Sequence, residues 1–235
     1  MTAKYVHTLD PRTEIPTTEL VASRKTRPAP YVYSEGDVQA LMEAAQGLRP
    51  PLRPSTYATL FGLLSVTGMR VGEATALNCA GINQHEGLLT IHGAKFGKSR
   101  EIVIHPTTQS ALESYAKERD ATFPSPRSPS FFVSQTGNRL VRQNVHETFL
   151  QLVRRSGMED RKPRRPQIHD LRHSFAIRML IGWYRAGLDV EARLPRLSTY
   201  LGHVSPSSTY WYLTGVPELL GLAAKRLDRA KGERP

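Results

Sequence analysis

The chain has 235 residues, 39% hydrophobic and 8% aromatic, with a formal net charge of +11. That length makes one fair-sized domain with an appendage, and the charge favours a polyanionic partner. One cysteine, Cys79, excludes disulfide stapling, and the apolar runs around 60–66 and 175–183 are too short to span a bilayer. No secretory leader pattern occupies Thr8 to Arg27, so a soluble, cytoplasmic protein without membrane contact is expected.

Residues 1–30 hold Pro11, Pro16, Pro28 and Pro30 among scattered charges, without periodicity, and read as an arm or linker. Order begins at Ser34, an N-cap with Asp37 in the capping-box position. Val38, Leu41, Met42 and Ala45 then recur at helical spacing. The proline-rich stretch 49–54 breaks the chain. Tyr57, Leu60, Leu63 and Leu64 define a second helix that stops at Thr67-Gly68, and a short third helix covers Val71 to Leu77. Cys79 follows within an apolar helical pattern. Leu88–His92 and Glu101–His105 read as strands, joined by the basic, glycine-punctuated segment from Gly93 to Arg100. Helix returns from Thr107 to Lys117, and Phe131–Val133 reads as a third short strand. Asn144–Arg155 is amphipathic, with Val145, Phe149, Leu152 and Val153 on one side. A basic loop from Arg161 to Pro166 precedes the strongest helical pattern, Ile168–Tyr184. A short helix follows at Leu197–Leu201 and a last one at Pro217–Arg229. The sum is an α+β fold, mainly α-helical, with one small antiparallel sheet.

Several residues carry phosphate chemistry. Arginine grips phosphate oxygens with a planar fork and keeps its charge. Arg70 opens the third helix, and Glu73, one turn on, can fix its rotamer. His169 and Arg172 share a helix face near its N-terminus, where the dipole favours an anion. His169 and His173 also have the i, i+4 spacing of a zinc-binding H-E-x-x-H helix. Against zinc, Asp170 stands where Glu is needed, Arg172 sets a fixed positive charge beside the cation, and no third ligand is obvious. No metal or other cofactor is expected. Lys95, Lys98 and Arg100 cluster at the hairpin, where a solvated charged turn is the plain alternative. With Arg161, Lys162, Arg164 and Arg165 of the basic loop, Lys98 and Arg100 are candidate DNA contacts. Tyr212, near His203, is an oxygen nucleophile that needs a base or a cationic pocket, because a free phenol has a pKa near 10. Ordinary core packing is the alternative for that tyrosine.

The ordered series T-G-M-R-V-G-E (Thr67–Glu73), K-F-G-K-S-R (Lys95–Arg100), H-D-L-R-H-S-F-A (His169–Ala176), L-G-H (Leu201–His203) and Tyr212 resembles the tyrosine recombinase, or phage integrase, family in its catalytic domain. The resemblance covers about Tyr31 to Leu222. It implies Tyr212 as nucleophile, Arg70, Arg172 and His203 around the scissile phosphate, His169 assisting proton movement, and Lys95 protonating the departing 5′ oxygen. Tyr210 is two residues short of the family spacing from His203. Val103 stands where proline often follows the hairpin lysine, and Gly81 where an acidic residue is common. The family's usual preceding core-binding domain has no room in residues 1–30, and 223–235 form a basic tail. The implied activity is site-specific strand cleavage and rejoining on double-stranded DNA, without metal or ATP. The implied setting is the bacterial cytosol or nucleoid, with a monomer in solution that forms a tetramer on DNA. A non-catalytic DNA-binding or regulatory module, and a type IB topoisomerase-like nicking–closing enzyme, are the alternatives.

Overall fold

The computed structural model describes residues 10, 12, 29–92, 99–162, 164–203, 207–215 and 218–224. The predicted capping box is present: the Ser34 hydroxyl accepts from the Asp37 amide at 3.1 Å, and the Asp37 carboxylate accepts from the Ser34 amide at 3.0 Å. It starts α1 (Glu35–Gln46), which packs against α2 (Leu52–Thr67). The helix α2 is central. Its Tyr57, Ala58, Leu60, Phe61, Leu63 and Leu64 are all buried, too many for a one-sided amphipathic helix. It reaches back through Pro54 to Leu52, further than the predicted break at 49–54, because proline is tolerated in a first turn where amides lack helical partners anyway. It ends at Gly68, whose φ of 62° is left-handed, and α3 (Val71–Ala76) follows at once.

The sheet has three antiparallel strands in the order β1 (Ile82–Asn83), β2 (Leu88–Ile91) and β3 (Arg100–Val103). Leu89 pairs with Ile102 and Ile91 with Arg100; Leu89, Ile91 and Ile102 face the core while Glu101 and Val103 face out. Lys95 and Lys98, between β2 and β3 in sequence, lie outside the described residues. Two expectations are corrected here. The third strand is Ile82–Asn83, not Phe131–Val133, whose three consecutive side chains are all buried and so cannot alternate as a one-sided strand does. Phe131 and Phe132 instead pack on the Tyr115 ring, at 5.4 and 5.3 Å. Cys79 sits exposed in a single 3-10 turn, Cys79–Gly81, and not on a helix.

Four further helices, α4 (Pro106–Thr122), α5 (Arg142–Arg155), α6 (Asp170–Arg185) and α7 (Val190–Leu201), precede α8 (Ser207–Gly215), and 218–224 is also helical. The helix α7 begins earlier than expected. Asp189 caps it by accepting from the Ala192 amide, and it carries Pro195 inside. The buried hydrophobics fall into two clusters. The larger gathers α1, α2, the sheet, α4 and α5, and the smaller gathers Ala176, Ile177, Leu180, Leu194, Leu197, Leu201, Tyr212 and Leu219. Tyr200 packs against both. Among the described residues no helix is long and apolar enough to cross a membrane.

Candidate active site

The site forms along the seam between the two clusters. Arg70 is the N-cap of α3 and Glu73 its third residue, so the carboxylate turns back on the helix start. It accepts from the Arg70 amide at 2.8 Å and from Arg70 Nη1 at 2.9 Å. The predicted pairing is there, with a second cation added. Arg100 donates from Nη1 and Nη2 to the two Glu73 oxygens at 3.0 and 2.8 Å. Burial alone would push the Glu73 carboxyl up; the hydrogen bonds from Arg100 and the Arg70 amide outweigh it and hold the carboxyl below the ordinary range.

Arg172 is 2% exposed. It donates from Nη1 to the Gly68 carbonyl at 2.8 Å and from Nη2 to the Leu201 carbonyl at 2.5 Å. Burial, and then the neighbouring Arg70 charge, pull its pKa down to about 10, while Tyr212 and Glu73 act the other way. Arg70 Nη2 donates to the Gly202 carbonyl at 2.7 Å. Gly202 ends α7 with a φ of 65°, which lets the His203 amide bond back to the Ser198 carbonyl at 2.9 Å. A Cβ at Gly202 would stand 3.0 Å from Arg100 Nη1 and 3.4 Å from Arg70 Nη1. That close approach gives the L-G-H motif a steric reason.

His203 Nδ1 lies 2.7 Å from Thr209 Oγ1, and its ring lies roughly parallel to that of Tyr212, with centroids 6.4 Å apart. Tyr212 is 1% exposed, whereas Tyr210 is 46% exposed. The Tyr212 hydroxyl is 2.8 Å from Nδ1 of His173, a buried residue on α6 immediately after Arg172. His169, exposed, meets the His173 ring edge-on at 4.7 Å, and Trp211 packs on His173 from α8. Arg70, Arg172, His169, His203, Tyr212 and Glu73 are thus neighbours, and Lys95 is outside the described residues. His173 and Thr209 had no assigned part in the sequence reading. His173 stood there only as a zinc-spaced partner of His169, and that i, i+4 spacing beside Arg172 was the available signal. Among the described residues, no group of three or more His, Cys, Asp or Glu side chains comes together to hold a metal ion.

The candidate DNA contacts divide. Arg100 is no free hairpin cation, because both of its terminal nitrogens are held by Glu73. Arg164 is ion-paired at 2.6 Å with the fully buried Asp170, and Arg165 lies 3.1 Å from Glu159. Arg161 and Lys162 remain exposed, Arg161 with only a 3.9 Å approach to Asp37. Lys98 lies outside the described residues.

The sequence profile of the phage integrase family matches residues 32–216, most of the chain. The chain belongs to the phage integrase family. A Sinorhizobium fredii protein named integrase/recombinase y4rB is 45% identical over 239 residues, covering 99% of this chain and 76% of that protein. The tyrosine recombinase XerC of Roseiflexus castenholzii is 30% identical over 200 residues, covering 84% of this chain and 59% of its own length. Among solved structures, that of XerA recombinase superposes with a TM-score of 0.65 over 88% of this chain and 67% of its own, at 23% identity, which speaks to the fold. The chain is therefore a tyrosine recombinase catalytic domain, in a family of DNA breaking–rejoining enzymes for site-specific recombination.

Proposed function

We propose that the chain cleaves and rejoins double-stranded DNA through a 3′-phosphotyrosyl bond to Tyr212. The observation that carries this reading is the company of the Tyr212 hydroxyl. It lies within electrostatic range of Arg172, beside His173 and His203, while Tyr210 points to the surface. Three guanidiniums, Arg70, Arg100 and Arg172, face one carboxylate, Glu73, so the site has a positive excess that a phosphate can neutralise. As Tyr212 attacks, charge grows on the non-bridging oxygens, and fixed cations stabilise that growth more than they stabilise the ground state. The phosphotyrosyl bond conserves the energy of the broken phosphodiester, so rejoining by a 5′ hydroxyl needs neither ATP nor a metal ion. Within this reading Arg70, Arg172 and His203 bind the phosphate, His169 assists proton movement and Lys95 protonates the leaving 5′ oxygen. Glu73 and Arg100 set the position of Arg70. Arg172 and Tyr212 are covered together in the free protein, so DNA docking opens the site around both. Monomers assemble as a tetramer on DNA to pair the exchanging strands.

The test is covalent capture from a randomised library of nicked duplexes, whose loss of a short 5′ fragment traps the intermediate. A denaturant-resistant adduct that survives Tyr210→Phe and disappears in Tyr212→Phe is expected. Salt-sensitive DNA binding with no adduct would leave a non-catalytic DNA-binding module instead.

A further inference from the structure

Every reaction at a phenol must dispose of a proton. A free phenol has a pKa near 10, so only about one molecule in a thousand is ionised at neutral pH. The cations of the site help the phenolate once it forms, but an arginine fork is a donor and accepts no proton. The groups around the Tyr212 hydroxyl therefore have to include an acceptor. His203 directs its Nδ1 to Thr209 Oγ1 at 2.7 Å, and its ring lies alongside the Tyr212 ring. His169 is exposed, and its ring meets that of His173 edge-on. His173 Nδ1 is an imidazole nitrogen at hydrogen-bond distance from the reacting oxygen, 2.8 Å away.

We infer that His173 is the general base for strand cleavage, accepting the Tyr212 proton at Nδ1 as the phenolic oxygen attacks phosphorus. The inference rests on Tyr212 being the nucleophile. The step balances simply. The Tyr212 Oη–P bond forms, the P–O5′ bond breaks, and the phenolic proton passes to His173. The departing O5′ takes its proton from a separate acid, Lys95 in the proposed scheme. Rejoining runs the same transfer backwards: His173, now protonated, returns the proton to Tyr212 as the phosphotyrosyl bond breaks.

The surroundings suit that task. His173 follows Arg172 on α6, so one helix carries both the phosphate grip and the proton acceptor. Its ring is enclosed by His169 from its own helix and by Trp211 and Tyr212 from α8. Beside it a cavity of about 260 Å³ is lined by Pro30, Arg164, Gln167, His169, Asp170 and Trp211. The charged or titratable groups around it include His169, Tyr212 and the Arg164–Asp170 pair, in which the charges offset at 2.6 Å. With Nδ1 unprotonated the phenol donates to it; a protonated ring cannot accept.

The decisive variant is His173→Asn, whose amide oxygen can keep the hydrogen bond near the Nδ1 position but has no basicity. His173→Gln serves as the second variant, and a thermal melt of each establishes folding. Single-turnover adduct formation is followed on the nicked duplex captured with the wild type. It is measured across pH 5 to 8, the range in which imidazoles titrate. A parallel series uses a duplex with sulfur replacing the bridging 5′ oxygen, a leaving group that needs no acid. The expected result is a rate about 10²-fold lower in His173→Asn. The defect persists on the sulfur substrate, and the acid limb of the wild-type profile is lost. A rate within about threefold of wild type would overturn the assignment, since general-base catalysis is worth about 10² or more. So would a faster rate, which would make the bond a restraint on Tyr212, or rescue by sulfur, which would place His173 on the leaving-group side. Absence of any adduct with the wild type would remove the nucleophile itself, a different failure from a normal His173→Asn rate beside an active wild type.

Discussion

Replacing Glu73 by Gln should cost stability and activity together, with a pH signature. The carboxylate accepts four hydrogen bonds, two from Arg70 and two from Arg100. An amide keeps one acceptor oxygen and turns an NH₂ donor toward a guanidinium. Hydrogen bonds to charged groups contribute about 1.5–3 kcal/mol each, and breaking a buried ion pair costs about 3–5 kcal/mol. The Arg70 side chain is 30% exposed, so water recovers part of its share, while Arg100 is only 14% exposed. A loss of about 3 kcal/mol follows, or a fall in Tm of about 6–12 °C for a domain of this size. Since the folded carboxyl titrates below its ordinary 4.5, the benefit of the charge is fully present above pH 4.5 and is lost as pH falls through the folded pKa. Paired thermal melts of wild type and Glu73→Gln should therefore diverge most near neutral pH and converge in acid. A gap under about 2 °C at pH 7, where 3 kcal/mol predicts at least 6 °C, would refute the accounting. So would a gap unchanged by acid.

Gly68→Ala should destabilise by about 2–4 kcal/mol in urea titrations, summing left-handed strain with overpacking, because its Cβ would sit 2.4 Å from Phe175 Cδ1; a midpoint equal to wild type would show that Phe175 can move aside freely. Affinity for duplex DNA, measured by fluorescence anisotropy, should fall by about 10³-fold between 50 and 200 mM salt if six or more phosphates are contacted. An affinity indifferent to salt would contradict phosphate neutralisation altogether. Leu219→Ala removes a side chain 1% exposed in the cluster that holds Tyr212, so amide exchange should quicken over 190–224 and stay slow over α2. Equal acceleration in both regions would mean that the two clusters open as one.

What the sequence made legible was whatever its neighbours encode locally. Arg70 with Glu73, His169 with Arg172, and the Ser34–Asp37 cap lie within one turn of each other, so spacing alone puts them on one face. The pairing of Arg100 was not legible because its partner Glu73 is 27 residues away in sequence. A basic cluster at a hairpin looks the same in sequence whether its charges are solvated or paired. The pairing of Arg164 was hidden in the same way, since the carboxylate that holds it belongs to the start of the next helix, at Asp170. Pro195 concealed the first two turns of α7, because a proline reads as a breaker even where the surrounding packing tolerates it. The His173–Tyr212 contact was not legible, because it depends on where α8 lies, which no local pattern records.

The geometry also explains why two glycine-ended helices belong to this site. The last carbonyls of a helix have no intrahelical amide to accept from, and they carry its negative partial charge. Here those orphan acceptors are put to use. The Gly68 carbonyl, at the end of α2, and the Leu201 carbonyl, at the end of α7, both accept from Arg172, and the Gly202 carbonyl accepts from Arg70. Both helices end in left-handed turns at these glycines; the missing Cβ leaves room for Phe175 at Gly68 and for the Arg100 and Arg70 guanidiniums at Gly202. Because α2 belongs to the larger cluster and α7 to the smaller, Arg172 ties the two together at the point where the proposed scheme has the phosphate bind. An arginine held in this way needs little reorganisation when negative charge develops, which is the condition under which fixed cations accelerate phosphoryl transfer most. In the proposed scheme the same side chain serves both fold and chemistry. Arg172→Lys, which keeps the charge but cannot span both carbonyls, should lose stability as well as rate.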